Sequence, residues 1–258
     1  MKHEEIIEKL RDDEQYYGDF GRQYISNSDI KNLTYDPAQF GNKIPDNPNF
    51  HLGRYFHQLI LEPNKAKEFP IVDIKGRNTK AYKSYLEDNN LTYAITTEEA
   101  KNIQEMADYA LNKDPDVSAL IQDFDAKYEE PMVGEIFAGC RPFKAKADII
   151  SQGLVVDLKT TSDIFKFKRN AYTFGYDTQA FIYQHLFKMP MTFIVLGKVK
   201  KKYGTVDGYY FDMGVFPTTE EFILQGKEKV ELAMQNYEKY FSENATESIE
   251  DTIINSPL

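Results

Sequence analysis

The chain of 258 residues changes its apolar periodicity near residue 127, and this change constrains the fold more than any other feature. From there the runs YEEPMVGEIFA, RPFKAKADIIS and LVVDLKTT alternate as β-strands do, with turns at Gly139 and around Gln152 and Gly153. A helix that ends before Pro190 follows, and then two more strand-like runs, TFIVLGKV and VDGYYFDMGVF. The pattern predicts an α/β (α+β) fold with a three-stranded antiparallel meander and two further strands.

Helices are predicted on both sides of these strands. Residues 51–61 place apolar side chains at helical spacing and end before Pro63, so they form a buried helix that carries His57. Further helices are expected to start where a hydroxyl residue can cap the first turn. The candidate caps are Ser26 or Ser28, Thr96 or Thr97 with Glu99, and Thr218 with Glu221.

A chain of this length can bury one sizeable core, so a single domain is the simplest organisation. We interpret residues 1–50 as an N-terminal arm that wraps the core, and residues 51–241 as one domain. Within that domain, residues 64–126 are expected to form a helical lobe that precedes the strands. Residues 242–258 are acidic and are predicted to form a flexible tail.

Composition narrows the function classes. The net charge of -10 argues against a protein that coats nucleic acid by bulk electrostatics, but it is compatible with an enzyme that has local basic patches. A single cysteine, Cys140, excludes an internal disulfide and a cysteine-ligated zinc or iron–sulfur site. The charged start and the lack of a long apolar run predict a reducing cytoplasm and no membrane span.

Two basic clusters stand out in predicted loops. They either guide nucleic acid or are ordinary solvated cations. The clusters are Lys75, Arg77 and Lys80, and Lys198, Lys200, Lys201 and Lys202.

Two neighbouring strand runs carry acidic residues that alternation brings to one region. In RPFKAKADII, Asp148 shares a face with Lys144 and Lys146. The opposite face holds Phe143, Ala145, Ala147 and Ile149. In LVVDLKTT, Asp157 and Lys159 point to the same side, about 6 to 7 Å apart along the strand. If the two strands form a hairpin, Asp148 and Asp157 converge.

Two converging carboxylates repel each other and raise one pKa unless a cation lies between them. Magnesium prefers a few carboxylates, keeps several waters and bridges phosphate oxygens, so the pattern predicts a Mg²⁺ site with Lys159 beside the attacking water. An Asp-x-Lys triplet alone is more often a surface ion pair. The surrounding residues therefore have to decide between these interpretations.

Several other polar residues are candidates for the same site. Gln179 and Tyr183 are four residues apart on a predicted helix, so they share a face and either reach a phosphate or form a buried polar pair. His57 is either a metal ligand or a core histidine on its apolar helix. Glu62 and Glu130 are ambiguous by themselves.

Taken in chain order, the segments LGRYFHQLILEP, YEEP, KAKAD, DLKTT and GYDTQAFIYQ resemble the RecB/RecE-like branch of the PD-(D/E)xK nucleases. The similarity spans residues 24 to about 190. It is greatest to the exodeoxyribonuclease VIII (RecE-like) group of phages and prophages, which also has a YxSxSxL-like segment, here YISNSDIKNL. Lys146 departs from the arginine that these enzymes often have before the aspartate.

The resemblance implies a restriction-endonuclease-like core, in which helices flank a central mixed sheet, with an N-terminal helical region. It implies Mg²⁺ as cofactor, with Mn²⁺ as a substitute. The implied metal ligands are His57, Asp148, Asp157 and the backbone carbonyl of Leu158. The implied catalytic and positioning residues are Asp148, Asp157, Lys159, Gln179, Tyr183 and Glu130, the last with Glu129 as its alternative.

The resulting hypothesis is a metal-dependent exonuclease that hydrolyses phosphodiester bonds of linear, double-stranded DNA in phage recombination or DNA processing. The resemblance implies DNA and a single-strand annealing recombination protein as partners, and a homo-oligomeric ring in the bacterial cytoplasm. The alternatives are a PD-(D/E)xK endonuclease and a non-cleaving DNA-binding module on the same fold. Polarity, strand preference and the number of metal ions stay open.

Overall fold

The computed structural model describes residues 1–42, 46–200 and 209–249, and describes side chains outside residues 198–210. The N-terminal segment contains three helices, α1 (His3–Leu10), α2 (Asp13–Tyr17) and α3 (Asn27–Tyr35). Of the two predicted caps of α3, Ser26 is the one used: its backbone N–H donates to the Asp29 carboxylate (2.8 Å). The first 42 residues therefore contribute helices that pack on the rest of the chain.

The region before the main sheet is only partly as predicted. Helix α4 carries His57, and α7 begins at the predicted cap Thr96, which forms a capping box with Glu99. The region predicted as a helical lobe is mostly helical, and it also contains two strands of two residues each, which pair in parallel. Strands this short are invisible to a periodicity argument. The elements are α4 (Pro48–Leu61), α5 (Pro63–Ala66), β1 (Ile71–Val72), α6 (Lys80–Asp88), β2 (Ile95–Thr96), α7 (Thr97–Asn112) and α8 (Pro115–Ile121).

A five-stranded sheet with the order β3-β4-β5-β6-β7 forms the centre of the fold. The meander β3-β4-β5 is antiparallel, β5 and β6 are parallel, and β6 and β7 are antiparallel, so the predicted mixed sheet is confirmed. The parallel step requires a crossover, which two helices provide. The elements are β3 (Lys127–Gly134), β4 (Phe143–Ser151), β5 (Leu154–Thr161), α9 (Phe167–Thr173), α10 (Tyr176–Phe187), β6 (Met191–Lys200), β7 (Tyr209–Pro217) and α11 (Glu220–Tyr240).

Helices cover both faces of this sheet and give it two apolar cores. One core joins the sheet to α3, α10 and α11, with Phe143, Val155 and Phe193 among its sheet residues. The other joins the opposite face to α4, α7 and α8 through residues such as Val156 and Ile194. Residues of the region predicted as a helical lobe therefore share a core with the sheet.

The alternation predicted along β4 is wrong at its end. Phe143, Ala145 and Ala147 pack in the core that contains α10, but Ile149 packs in the opposite core. The face changes around Asp148, where β4 pairs with β5 only from Ile149 onward. Regular alternation needs continuous strand pairing on a regular pleat, and this strand loses its pairing at that position.

The C-terminal helix α11 begins one residue later than predicted. Thr219 is its cap and accepts a hydrogen bond from the Phe222 N–H, whereas the predicted cap Thr218 donates to the Met191 carbonyl (2.8 Å). The predicted tail is described as far as residue 249, and the N–H groups of Thr246 and Glu247 donate to the Lys239 carbonyl. Residues 250–258 lie outside the described part of the chain.

Helices α10 and α11 are in close contact at Gly226. A Cβ atom at this position would lie 2.1 Å from the backbone oxygen of Asp177, at the start of α10. Three residues on, the Lys229 ammonium lies 2.5 Å from the buried Asp177 carboxylate. The two contacts hold the first turn of α10 in place.

Among the described residues, no helix is long and apolar enough to cross a membrane.

We expect Gly226→Ala to lower the free energy of unfolding by about 1–3 kcal/mol or more, because the new methyl group meets backbone that cannot rotate away. Urea unfolding measures the change. Gly53→Ala on α4 is the matched control: nothing lies within 4 Å of its added Cβ. It should raise stability by up to about 1 kcal/mol through helix propensity. Equal effects of the two substitutions would contradict the close approach.

Candidate active site

The candidate site lies where β4 and β5 separate. The two strands pair only at Ile149, Ile150 and Ser151 of β4. Further along, Ile25 takes the free edge of β4: its N–H donates to the Pro142 carbonyl (2.9 Å), and the Lys144 N–H donates to the Ile25 carbonyl (2.8 Å). A gap opens between these two pairings, and the titratable side chains of the candidate site lie around it.

Asp148 bridges the gap. Its Oδ2 atom accepts a hydrogen bond from the backbone N–H of Leu158 on β5 (2.8 Å). Burial opposes ionisation of this carboxyl, but His57 and Lys159 outweigh burial and lower the pKa of Asp148. Asp148 is therefore held as a carboxylate between the two strands.

His57 reaches the same point from α4. Its Nε2 atom lies 3.1 Å from Asp148 Oδ2 and 2.9 Å from the Leu158 carbonyl oxygen, and its Nδ1 atom lies 2.8 Å from the Gly53 carbonyl oxygen. Both ring nitrogens face oxygen acceptors, so both carry protons. Burial disfavours the charged ring, yet Asp148 prevails and raises the pKa of His57 to about 9.

Asp157 and Lys159 form a second ion pair beside the first. Lys159 Nζ lies 2.5 Å from Asp157 Oδ2, and the ring of Tyr176 lies 4.9 Å from the same ammonium. The other carboxylate oxygen accepts a hydrogen bond from the Gln179 side chain on α10. Burial raises the pKa of Asp157. Burial by itself would lower the pKa of Lys159, but the charges of Asp157 and Asp148 outweigh burial and raise it.

The donor set suits a divalent cation. Two carboxylates and the Leu158 carbonyl are hard oxygen donors, and His57 adds a nitrogen. As they stand, the side chains of the described residues contain no group of three or more His, Cys, Asp or Glu spaced to hold a metal. Instead, the imidazolium N–H of His57 occupies the space between Asp148 and the Leu158 carbonyl. Asp157 Oδ2 is buried and accepts no hydrogen bond of normal geometry.

The structure brings Glu129, and not Glu130, to this cluster. Glu130 points away, and both its oxygens accept hydrogen bonds from the Arg11 guanidinium at 2.7 Å. Glu129 has a left-handed backbone conformation (φ 50°), which turns its side chain to the other face. Burial and the Asp148 charge raise the pKa of Glu129 to about 7. Sequence alone could not separate the two, because alternation fails at the left-handed residue.

Gln179 and Tyr183 share one face of α10, as predicted, but they contact protein atoms in this structure. Gln179 orients Asp157, and the Tyr183 hydroxyl donates to the backbone carbonyl of Lys146 (3.0 Å). Both contacts connect α10 to the strands that carry the aspartates. Their geometry supports a role in positioning the carboxylates, rather than direct contact with a phosphate.

Lys144 and Lys146 do not share an open surface with Asp148. Both are buried beneath α2: Lys146 Nζ lies 2.6 Å from Asp13 Oδ1, and Lys144 Nζ donates to the Tyr16 carbonyl (2.5 Å). Nothing in the sequence pattern signalled this contribution of the N-terminal helices. Tyr176, beside Lys159, was missed too, although it lies within the GYDTQAFIYQ segment.

Glu62 lies at the edge of the cluster: it pairs with Lys65 (2.5 Å) at the end of α4, and its charge contributes to the raised pKa of Glu129. The remaining candidates lie outside the cluster. In the first basic cluster, Arg77 pairs with Glu99 (2.9 Å), the capping residue of α7. The second cluster, at residues 198–202, falls outside the residues whose side chains are described.

The two neighbouring glutamates should respond oppositely to neutralisation in metal-free protein. Below pH 4.5 Glu129 is protonated in both folded and unfolded states; as the pH rises to about 7 the unfolded state ionises first, so stability falls. Glu129→Gln should remove this loss and raise the free energy of unfolding at pH 8. Glu130→Gln should lower it, because Arg11 loses its partner.

Urea unfolding in a chelator at pH 4.5 and pH 8 measures both effects. The gain from Glu129→Gln should be larger at pH 8 than at pH 4.5. A gain that is the same at both values, or a stabilising Glu130→Gln, would contradict the assignment.

Comparisons with known proteins bear on the fold and the family. The profile of a family described as PDDEXK-like domain of unknown function (DUF3799) matches residues 35–244, which include every candidate from His57 to Tyr183. In structure the chain is similar to an exonuclease candidate from Eubacterium rectale, with a TM-score of 0.58 and 16% identity over 96% of this chain and 95% of that one.

A phage-related exonuclease from Haemophilus somnus 129PT gives a TM-score of 0.33 and 15% identity over 65% of this chain and 88% of that one. A comparison with proteins of curated function finds no match. At 16% identity, the similarity to the Eubacterium rectale protein demonstrates a common fold.

Proposed function

The chain belongs to the PDDEXK-like domain family, a nuclease fold, and we propose that it is a Mg²⁺-dependent exonuclease that hydrolyses phosphodiester bonds of linear, double-stranded DNA. One observation carries the proposal. The gap between β4 and β5 brings together Asp148, Asp157, Lys159 and the Leu158 carbonyl. His57 bridges Asp148 and the Leu158 carbonyl.

Nucleases of this family generally use divalent metal ions. Here His57, Asp148, Asp157 and the Leu158 carbonyl would hold the ion, and oxygen donors of this kind suit both Mg²⁺ and Mn²⁺. When bound, the ion supplies Lewis acidity toward a phosphate oxygen and acidifies a water. His57 must give up its Nε2 proton to become a ligand, so metal binding and deprotonation of this ring are linked.

The chain's own residues supply the rest of the chemistry. Lys159 presents an ammonium to the negative charge that develops on the phosphate and orients the attacking water. Gln179 fixes one oxygen of Asp157, so the other oxygen keeps a defined direction. Glu129 adds a further carboxyl group beside Asp148. In the proposed reaction, water attacks the phosphorus in line with the P–O3′ bond. That bond breaks, so the products are a 5′ phosphate and a 3′ hydroxyl, whose oxygen takes up a proton.

The proposal extends to biology that only the sequence resemblance supports. It includes digestion of DNA ends in phage recombination, a single-strand annealing protein as partner, a ring-shaped homo-oligomer and a bacterial cytoplasm. The mass of the native particle tests the ring. The fold itself does not specify any of these.

We predict that the purified protein degrades end-labelled linear duplex DNA in Mg²⁺ or Mn²⁺ and leaves covalently closed circular DNA intact. Asp157→Asn and Lys159→Ala should each reduce the rate by at least about 10²-fold, the usual effect of removing one preorganised charge at a reacting centre. The measurement is release of labelled nucleotide over time.

Lys239→Ala is the matched control, because Lys239 of α11 forms an exposed ion pair with Glu247. It should leave the rate unchanged. Cleavage of the closed circle would favour an endonuclease of the same fold, and DNA binding without hydrolysis in either metal would favour a non-cleaving module. Full activity of Asp157→Asn or Lys159→Ala would refute the site.

A further inference from the structure

A surface cavity of about 360 Å³ lies beside the candidate active site, between α3, the start of α4 and the turn that joins α9 to α10. Four aromatic side chains line it, and its remaining walls include small polar residues of α3 and α10. The aromatic residues are Tyr35, Phe50, Tyr172 and Phe174. No residue in this aromatic cavity has a role in the chemistry described above.

These rings are unusually exposed for their type. Tyr35 is 66% exposed, Phe50 is 53% exposed and Phe174 is 59% exposed. Single exposed apolar side chains are common on protein surfaces, but several rings around one cavity indicate a binding surface. The rings come from three separate segments of the chain, so the fold itself gathers them.

The charge of the cavity is opposite to that of the protein. Lys31 and Lys229 line it, and among the described residues no carboxylate does. Lys229 is committed to Asp177, whereas no described carboxylate pairs with Lys31. In a chain of net charge -10, a cavity whose lining includes Lys31 and no described carboxylate suits an anionic ligand.

Two routes connect this cavity to the catalytic residues. Through the turn before α10, the ring of Phe174 lies 5.9 Å from the ring of Tyr176, which in turn lies 4.9 Å from Lys159 Nζ. Along α4, Phe50 precedes His57 by seven residues, which is two turns on the same side of the helix and about 10 Å. The cavity therefore opens within a short distance of both ion pairs.

We propose that the aromatic cavity binds unpaired bases of the DNA strand, next to the bond that is hydrolysed. Phe50 and Phe174 provide faces on which bases stack, and Lys31 attracts the phosphates, which is how proteins bind single strands without reading sequence. The proposal rests on the proposed function and deepens it. The end of a duplex has to be unpaired before its strand can enter the cavity.

Binding of a labelled oligo-thymidine single strand, in a chelator that prevents hydrolysis, tests the proposal. Phe50→Ala and Phe174→Ala should each weaken binding by about 5- to 150-fold, the range for loss of one stacking partner. Phe174→Tyr should bind like the wild type, because it keeps a ring. Phe124→Ala is the matched control, since Phe124 is fully exposed and does not line the cavity.

A set of oligonucleotides with one abasic position each separates stacking from a merely structural effect. For the wild type, one abasic position should weaken binding, and Phe174→Ala should abolish that penalty. Unchanged affinity of both alanine variants, or a penalty that survives in Phe174→Ala, would overturn the proposal. Loss of self-association with unchanged DNA binding would overturn it in favour of a second copy of this chain as occupant.

The subsite and the nuclease fail in different ways. With wild-type protein that binds single strands but hydrolyses nothing, the nuclease proposal falls and the base-binding proposal stands. If the wild type does hydrolyse DNA, Phe174→Ala should raise KM for DNA at least 5-fold, the lower end of the expected range. Hydrolysis of bis(p-nitrophenyl) phosphate, which has no neighbouring base, should stay the same. Equal loss on both substrates would refute the subsite.

Discussion

The convergence of a buried carboxylate, Asp157, and a partly buried one, Asp148, on neighbouring strands is the constraint on which the rest of this structure depends. Asp148 and Asp157 could not stay ionised side by side in a protein interior without compensating charge. The chain supplies that charge with His57 and Lys159, which contact the carboxylates at 3.1 and 2.5 Å. Each aspartate therefore has its own cation, and the pairs lie at the point where the sheet opens.

The surrounding elements hold this opening in place. Ile25 takes over the edge of β4 that β5 leaves free, so the backbone groups beyond the gap remain hydrogen-bonded. On the far side, Gln179 fixes Asp157 from α10, and the start of α10 is fixed by the Asp177 and Lys229 ion pair. Distortion of the strands is thus tolerated where a site needs a polar cluster between them.

Much of this could be predicted from sequence where regular periodicity applies. The five strands and the placement of Asp157 with Lys159 on one face follow from alternation, whereas the mixed sheet was implied by the family resemblance. The prediction of side-chain direction failed around Asp148 and Glu129. Irregular backbone there redirects side chains, and such irregularity leaves no trace in a pattern of apolar residues. This is why Ile149 was assigned to the wrong face and why Glu130 was preferred to Glu129.

Long-range contacts could not be predicted from the sequence for a different reason. The Arg11 contact to Glu130 and the Asp13 contact to Lys146 join residues more than a hundred positions apart. No local spacing encodes such pairs. Gln179 was identified as a member of the site, but its orientation toward Asp157 depends on how α10 packs on the sheet. Side-chain roles of this kind require coordinates.

The central claim is that these ion pairs mark a divalent metal site, and calorimetric titration with Mn²⁺ tests it most directly. At pH 7.5 His57 is protonated in the metal-free protein, because its pKa is raised to about 9. Binding should therefore release a proton, seen as a heat that varies with the ionisation enthalpy of the buffer. His57→Gln should lose the proton release, and Asp157→Asn should bind far more weakly. Absence of Mn²⁺ binding by the wild type at millimolar concentration would contradict the account.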